Sequence, residues 1–284
     1  SVPAGSPGYN HLEGVAMVAS NDVWAVGYQT PRYYVTNFSP LIEHWDGTAW
    51  KVVPSPYQGA GELKAVAAVS STDVWAVGLR WTNPEGTLIL HWDGIRWTTV
   101  SDGHSSDNAI LRGLAISSAT GVYAGGSTIG DGGDRMTFVE KWNGASWSQE
   151  PTLNDSHYNE FNALAGDSSG SVWGVGWKSP DLGYFAFTER YDGSAWSIEP
   201  TPDFGPPNSN LYGAVMTSST QAWAVGYQSG HGVGPVIIKW NGAEWSVDPD
   251  PSTTCCILYA IARAGNALWA VGDNMIMRRG PLSS

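Results

Sequence analysis

Cysteine, positive charge and long apolar runs are all scarce in this chain, and each scarcity removes a class of protein. The only two cysteines, Cys255 and Cys256, are adjacent. They exclude a disulfide framework, and no CxxC or His-spaced pattern accompanies them to make a zinc site. In an exported protein such a pair forms a vicinal disulfide or stays as thiols, and the disulfide is the expectation carried here. Lys and Arg number 14 against 26 Asp and Glu, for a net charge of −12 and a pI near 4.7. Clustered cations for nucleic acid or an anionic membrane surface are therefore missing. No apolar stretch reaches the roughly 18 to 20 residues of a membrane-spanning helix, and no charged region with an apolar signal core follows Ser1. Only 14% of residues are charged, while Gly, Ser, Thr, Asn and Trp are plentiful. That balance is familiar from exported bacterial proteins, so a secreted location is expected. Asp131-Gly132-Gly133-Asp134 offers two carboxylates, too few for calcium by themselves, and neither a metal nor a cofactor is expected.

What is present is a repeat. Asp22-Val23-Trp24-Ala25-Val26-Gly27 returns at 73–78, 121–126, 171–176, 221–226 and 267–272. The aromatic positions 24, 75, 123, 173, 223 and 269 are separated by 51, 48, 50, 50 and 46 residues, the mark of a propeller or solenoid. Upstream of each copy stands a run beginning at Leu12, Leu63, Leu111, Phe161, Leu211 or Leu258. β-Branched and aromatic residues bounded by Ser, Asn, Asp and Gly make these two runs strands A and B.

Strand C follows a loop of variable length, at 41–47, 88–94, 138–144, 187–193 and 236–242, and ends in Asp-Gly or Asn-Gly. This dipeptide is a strong hairpin signal, so strand D starts at Trp50, Trp97, Trp147, Trp196 and Trp245. Pro54, Pro151, Pro200 and Pro249 end it, since proline cannot donate to a ladder. Each unit reads as a four-stranded antiparallel meander with two apolar faces, and radial packing hides both. The expected fold is all-β: a single six-bladed β-propeller spanning 1–284, with blades at roughly 12–53, 63–100, 111–150, 161–199, 211–248 and 258–284. The sixth copy stops within strand C. Pro3 precedes Leu12 by nine residues, as Pro54 precedes Leu63. Ser1 to Ala4 is accordingly expected to close the last blade.

The run from strand A through aromatic-x-hydrophobic-Gly, an apolar strand to Asp-Gly, then Trp and Pro resembles the kelch repeat. That superfamily includes the central domain of galactose oxidase. The chain also looks like uncharacterised Trp-Ala-Val-Gly repeat proteins of soil bacteria. The resemblance implies a propeller across the whole chain. It does not choose an activity, because kelch propellers include oxidases, sugar binders and adaptors. The kelch Gly-Gly pair survives only at Gly125-Gly126, and no cluster of Tyr, His and Cys is spaced as a copper site.

Most of the 16 Trp residues repeat at fixed strand positions, and repetition explains them as packing between units. His44 and His91 share a strand-C position with Lys141, Arg190 and Lys239, which marks it as a satisfied basic position in the sheet rather than a metal ligand. The irregular B–C and D–A connections are the places to look for binding. They carry Tyr34, Trp81, Trp177 and Tyr184 in the former, and His157 and Glu160 in the latter. The second residue of strand A also varies, as Glu13, Lys64, Arg112, Asn162, Tyr212 and Tyr259, whereas its successor is always Gly or Ala.

Aromatic rings beside Asn, Asp and Glu suit a pyranose, which offers C–H faces to stack on and hydroxyls to pair. The equally simple alternative is that the rings pad long loops. The expected ligand contacts are Tyr34, Trp81, Arg112, Trp177, Tyr184, Tyr212, His157, Glu160 and Tyr259. Three functions follow in order. The first is an extracellular glycan-binding propeller. The second is a surface-structural or protein-interaction module capable of self-association, and the third is a polysaccharide hydrolase or lyase. The enzyme stands last because no nucleophile elbow, paired-carboxylate motif or phosphate loop is present.

Overall fold

A computed structural model describes residues 9–30, 38–82, 85–102, 108–118, 121–130, 132–180, 183–205, 208–229, 234–248 and 256–280. The expected closing strand Ser1–Ala4 lies outside these residues. The described residues form strands and turns with no α-helix, and so no helix long and apolar enough to cross a membrane.

The first repeat comprises Tyr9–Ala19, Asp22–Thr30, Ser39–Trp45 and Trp50–Val52 (β1 to β4), and the second Gly61–Ser70, Asp73–Arg80, Gly86–Trp92 and Trp97–Val100 (β5 to β8). The third is Ala109–Ser118, Gly121–Ile129, Arg135–Trp142 and Trp147–Glu150 (β9 to β12), and the fourth Tyr158–Gly166, Val172–Ser179, Phe185–Tyr191 and Trp196–Ile198 (β13 to β16). The fifth is Ser209–Ser218, Gln221–Gln228, Gly234–Trp240 and Trp245–Val247 (β17 to β20). The last contributes Leu258–Ala264, Ala267–Gly272 and Met275–Arg279 (β21 to β23), a sheet of three described strands. Within each repeat the strands pair in chain order. A single parallel bridge, Arg135 to Tyr158, joins the third and fourth meanders into one sheet. The chain divides into two compact units, Ser1–Thr128 with Glu140–Glu150 and Ile129–Val139 with Pro151–Ser284.

Strand A is longer than its apolar run. It begins two or three residues earlier in five repeats, so that His11, Glu62, Glu160 and Asn210 are strand residues rather than loop residues. The reason is a β-bulge. In every repeat the A–B register slips at the variable second residue, leaving Glu13, Lys64, Arg112, Asn162, Tyr212 and Tyr259 unopposed. Such a bulge bends its strand and re-aims the extra side chain.

The Gly ending each Val-Trp-Ala-Val-Gly run makes the bulge possible. A Cβ on Gly27, Gly78, Gly126, Gly176, Gly226 or Gly272 would stand only 1.8 to 2.0 Å from a backbone carbonyl oxygen of strand A or the residue just before it. The small residue after the bulge has its own cause. In the first unit a Cβ on Gly14 would come within 3.2 Å of the Ala65 Cα, and in the second a Cβ on Gly213 within 3.0 Å of the Ala260 Cα.

Packing between repeats is organised on the strand-B aromatic. In the first unit Trp24 stacks on His44 of its own sheet at 4.1 Å between centroids, and meets Trp92 and Trp97 of the next repeat at 5.0 and 5.2 Å. Trp75 repeats the arrangement with His91, Trp142 and Trp147. In the second unit Trp173 lies under Arg190 and against Trp240 and Trp245 at 4.9 and 4.7 Å. The basic strand-C residue also covers the aromatic as Lys141 over Tyr123, Lys239 over Trp223 and Arg278 over Trp269. Cation–π contacts contribute about 0.5 to 2 kcal/mol each, and aromatic pairs about 0.5 to 1.5 kcal/mol beyond their buried area. His44 and His91 are further held by Asp22 and Asp73 at 2.8 and 2.9 Å.

Exposure differs among the repeats. Val15 and Met17 on β1 are 69% and 72% exposed, and Trp269 and Ile276 on the last sheet 40% and 73%, whereas Trp24, Trp75, Trp173 and Trp223 are buried.

Replacing Gly226 by Ala is expected to destabilise the fold by about 3 kcal/mol or more, because backbone must move to admit the methyl. Gly132→Ala, at a turn where an added Cβ meets nothing within 4 Å, should leave stability nearly unchanged. Thermal unfolding of the two variants beside the parent checks the difference.

Candidate functional site

Three positions of the repeat converge at the start of strand A: the residue before its first apolar position, the bulge residue, and the residue after the strand-B Gly. In the second unit these positions supply Glu160, Asn210, Asn162, Tyr212, Tyr259, Trp177, Tyr227 and Asp273.

Tyr212 lies at the centre. Its ring stacks on Tyr227 of its own sheet at 6.1 Å between centroids and meets Tyr259 of the next repeat at 5.5 Å. The Tyr259 hydroxyl lies 3.4 Å from Asp273 Oδ2. Asn162 Nδ2 donates to Asn210 Oδ1 and to the Leu211 carbonyl, both at 2.8 Å, tying the fourth repeat to the fifth. Trp177 meets Tyr184 edge to face at 4.8 Å. Tyr184 is 47% exposed and Tyr259 45%, whereas Tyr212 and Tyr227 are half-buried, so the wall has anchored rings and accessible ones.

Burial is the first cause that raises the phenol pKa values of Tyr212, Tyr227 and Tyr259. Neighbouring tyrosines add to it for the first two, and Asp273 for the third. All three stay neutral donors near neutrality. Glu160 is 5% exposed and is ion-paired with Arg135. Beside it, at the β11–β13 bridge, His157 Nδ1 lies 3.2 Å from Asp134 Oδ1, and the two side chains are 73% and 51% exposed. Among the described residues no cluster of three His, Cys, Asp or Glu is set to hold a metal ion.

In the first unit the same three positions give a different surface. Lys64 Nζ is shared between Glu13 at 3.2 Å and Glu62 at 2.8 Å. His11 stacks on Tyr28 at 5.1 Å, Tyr28 meets Phe38 at 5.0 Å, and Phe38 meets Trp81 at 6.2 Å. Trp81 is 41% exposed, and Arg112 is half-buried at the β9 bulge. Charge thus dominates the bulges of the first unit, and amide and phenol those of the second.

Of the residues expected from sequence, Trp177, Tyr184, Glu160, Tyr212 and Tyr259 fall in the second unit's group, with His157 at its edge. Trp177 and Glu160 do so from strands, not loops. Tyr34 and Cys255 lie outside the described residues. Cys256 is described, with a φ of 94°. Tyr227, Asn162, Asn210 and Asp273 join the site without having been singled out as ligand contacts. Their signal was positional, since each stands at or beside a bulge or its Gly. A separate cavity of about 360 Å³ lies among Phe185, Phe187, Pro200, Phe204 and Lys178, on strand C of the fourth repeat and the segment that crosses it.

No protein-family profile matches the chain, and no curated protein sequence does. Solved structures do. Over 96% of this chain and 77% of the other, it superposes with TM-score 0.59 and 14% identity on YCF48 bound to D1 peptide. The GH74 xyloglucanase from Xanthomonas campestris aligns with TM-score 0.67 and 13% identity over 94% of this chain and 44% of that one. The extracellular domain of a putative hybrid two-component system from B. thetaiotaomicron gives 0.58 and 11%, over 95% of this chain and 32% of that one. At these identities the likeness concerns the fold, and the fold is an all-β propeller of four-stranded antiparallel sheets.

The elevated phenols are measurable. On alkaline titration followed by near-ultraviolet phenolate absorbance, Tyr212→Phe and Tyr259→Phe should each remove a component that ionises above the ordinary tyrosine value of 10.0.

Proposed function

We propose that this chain is a secreted glycan-binding propeller whose second unit takes carbohydrate on the wall built by Tyr212, Tyr227, Tyr259, Trp177 and Tyr184. The observation that carries this reading is the Tyr212-centred array, in which rings are held by one another and by the bulge while Tyr184 and Tyr259 remain accessible. Ring faces stack on the apolar side of a sugar. Neutral phenols, the Asn162–Asn210 amides and Asp273 supply the donors and acceptors that its hydroxyls need. Glu160, His157, Trp81, Arg112 and Tyr34 belong to the proposal as further contacts, the last three in the first unit.

The same reading takes the architecture as a single domain of six blades related to the kelch-like propellers. The strand-B aromatic that recurs in all six repeats supports it, with Trp24, Trp75, Tyr123, Trp173 and Trp223 all buried.

A second reading, polysaccharide cleavage, is favoured by the His157–Asp134 pair beside Glu160, which places a base near a carboxylate. Glycan-array and calorimetric titration test the first reading. Tyr212→Ala and Tyr259→Ala should each weaken binding by about tenfold or more, and Tyr212→Phe far less. Failure to retain any polysaccharide, or indifference of affinity to both alanine variants, overturns the proposal. Release of reducing ends that disappears in His157→Ala replaces it with the hydrolytic one.

A further inference from the structure

The third position of strand C is a core position. It holds Leu90, Ile238 and Met277 in three repeats and Glu43, Glu140 and Glu189 in the others, and these acids are 1%, 0% and 0% exposed. A carboxylate replacing leucine or isoleucine in such a place is costly if ionised and tolerable if neutral and hydrogen-bonded.

Proton counting at Glu189 fits the neutral state, and burial at an aliphatic position favours it. Asn154 Oδ1 accepts from the Thr137 backbone N–H at 2.8 Å, which fixes the amide's orientation. Thr137 Oγ1 then lies 3.2 Å from Asn154 Oδ1 and 3.2 Å from Glu189 Oε1, with one hydroxyl proton for two acceptors if Glu189 is ionised. With Glu189 protonated every contact is filled. Its O–H donates to Thr137 Oγ1, Thr137 donates to Asn154, and the Leu153 N–H donates to Glu189 Oε2 at 2.9 Å.

Among the described residues no ion pair reaches Glu189. Asp155, on the 151–157 segment, is of the same sign and raises the pKa, and it is held by Lys178 of β14. Arg135 of β11 is paired with Glu160, and Arg190, next along β15, stacks instead over Trp173 and Trp240. The first unit holds a related set: Thr87 Oγ1 donates to Asp102, whose charge acts on Glu140.

We propose that Glu189 is a protonated latch that fastens the 151–157 segment to strand C of the fourth repeat, and that its ionisation in alkaline solution releases that segment. Burial above all pushes the Glu189 carboxyl up to about 8, from 4.5. A carboxyl raised on folding adds stability that is complete below the unfolded value and is lost as pH climbs through the folded one. The loss is therefore spread over about pH 4.5 to 8 and is complete above it. The released segment leads directly into His157, so the latch governs the edge of the candidate site whatever ligand that site takes.

The test is hydrogen exchange of the Leu153 amide, read as a protection factor corrected for intrinsic rate, on the full chain between pH 6 and pH 9.5. In the parent, protection should fall by roughly tenfold or more across that range, since up to about pH 8 each pH unit favours the opened, ionised acid over the closed, neutral one about tenfold. Glu189→Gln, neutral at all pH with an amide to donate and a carbonyl to accept, should keep it constant. Thr137→Val should lower protection already at pH 6 and flatten its pH dependence. A parent profile matching that of Glu189→Gln, or a Glu189 carboxyl carbon that titrates near 4.5 by NMR, overturns the proposal.

Discussion

A carbonyl oxygen standing where a Cβ would be is the constraint on which this architecture rests. At the glycine after each strand-B aromatic an added Cβ would stand only 1.8 to 2.0 Å from that oxygen, and only glycine passes. That close approach lets strand A carry an extra residue. The extra residue turns a side chain out of the alternating pattern and toward a neighbouring repeat. Lys64 meeting Glu13, Asn162 meeting Asn210 and Tyr212 meeting Tyr259 are all products of the same local geometry. The repeat therefore builds one scaffold and displays different chemistry on it.

The tryptophans do the complementary work. Trp24, Trp75 and Trp173 are each held on one side by a basic residue of their own sheet and on the other by two aromatics of the next. Register is thereby set within the sheet and between sheets at one point. The aromatic is a large apolar body with an electron-rich face, which explains why histidine, lysine and arginine serve interchangeably over it. It also accounts for a basic side chain, His, Lys or Arg, at this position of every described strand C.

Buried polarity separates the repeats further. Where strand C carries Leu90 or Ile238 the core is simply apolar. Where it carries Glu140 or Glu189, a threonine and an Asx residue of the preceding repeat come with it. These polar groups bind the segments leading into strand A, and so they connect the core to the surface on which the bulge residues stand. The surface of bulge residues and scaffold stability are thus coupled through a few hydrogen bonds.

Much of this was legible in the residues alone. The period near fifty, the Asp-Gly turns and the recurrent aromatic-x-hydrophobic-Gly specify antiparallel meanders, because turn chemistry and alternation are local properties. The variability of the residue after Leu12, Leu63 or Leu211 was also visible. Its cause was not, since a bulge is a relation between two strands and shows only when both are placed. For the same reason Trp177 and Glu160 read as loop residues, although both pair within strands. Tyr227 likewise read as a B–C loop aromatic, although it lies within β18. What the sequence by itself determined is the repeating strand unit and the residue types at each of its positions. Only the tertiary structure decided which of those positions face one another across neighbouring repeats, because such contacts depend on side-chain direction and on the packing of sheets roughly fifty residues apart in the chain.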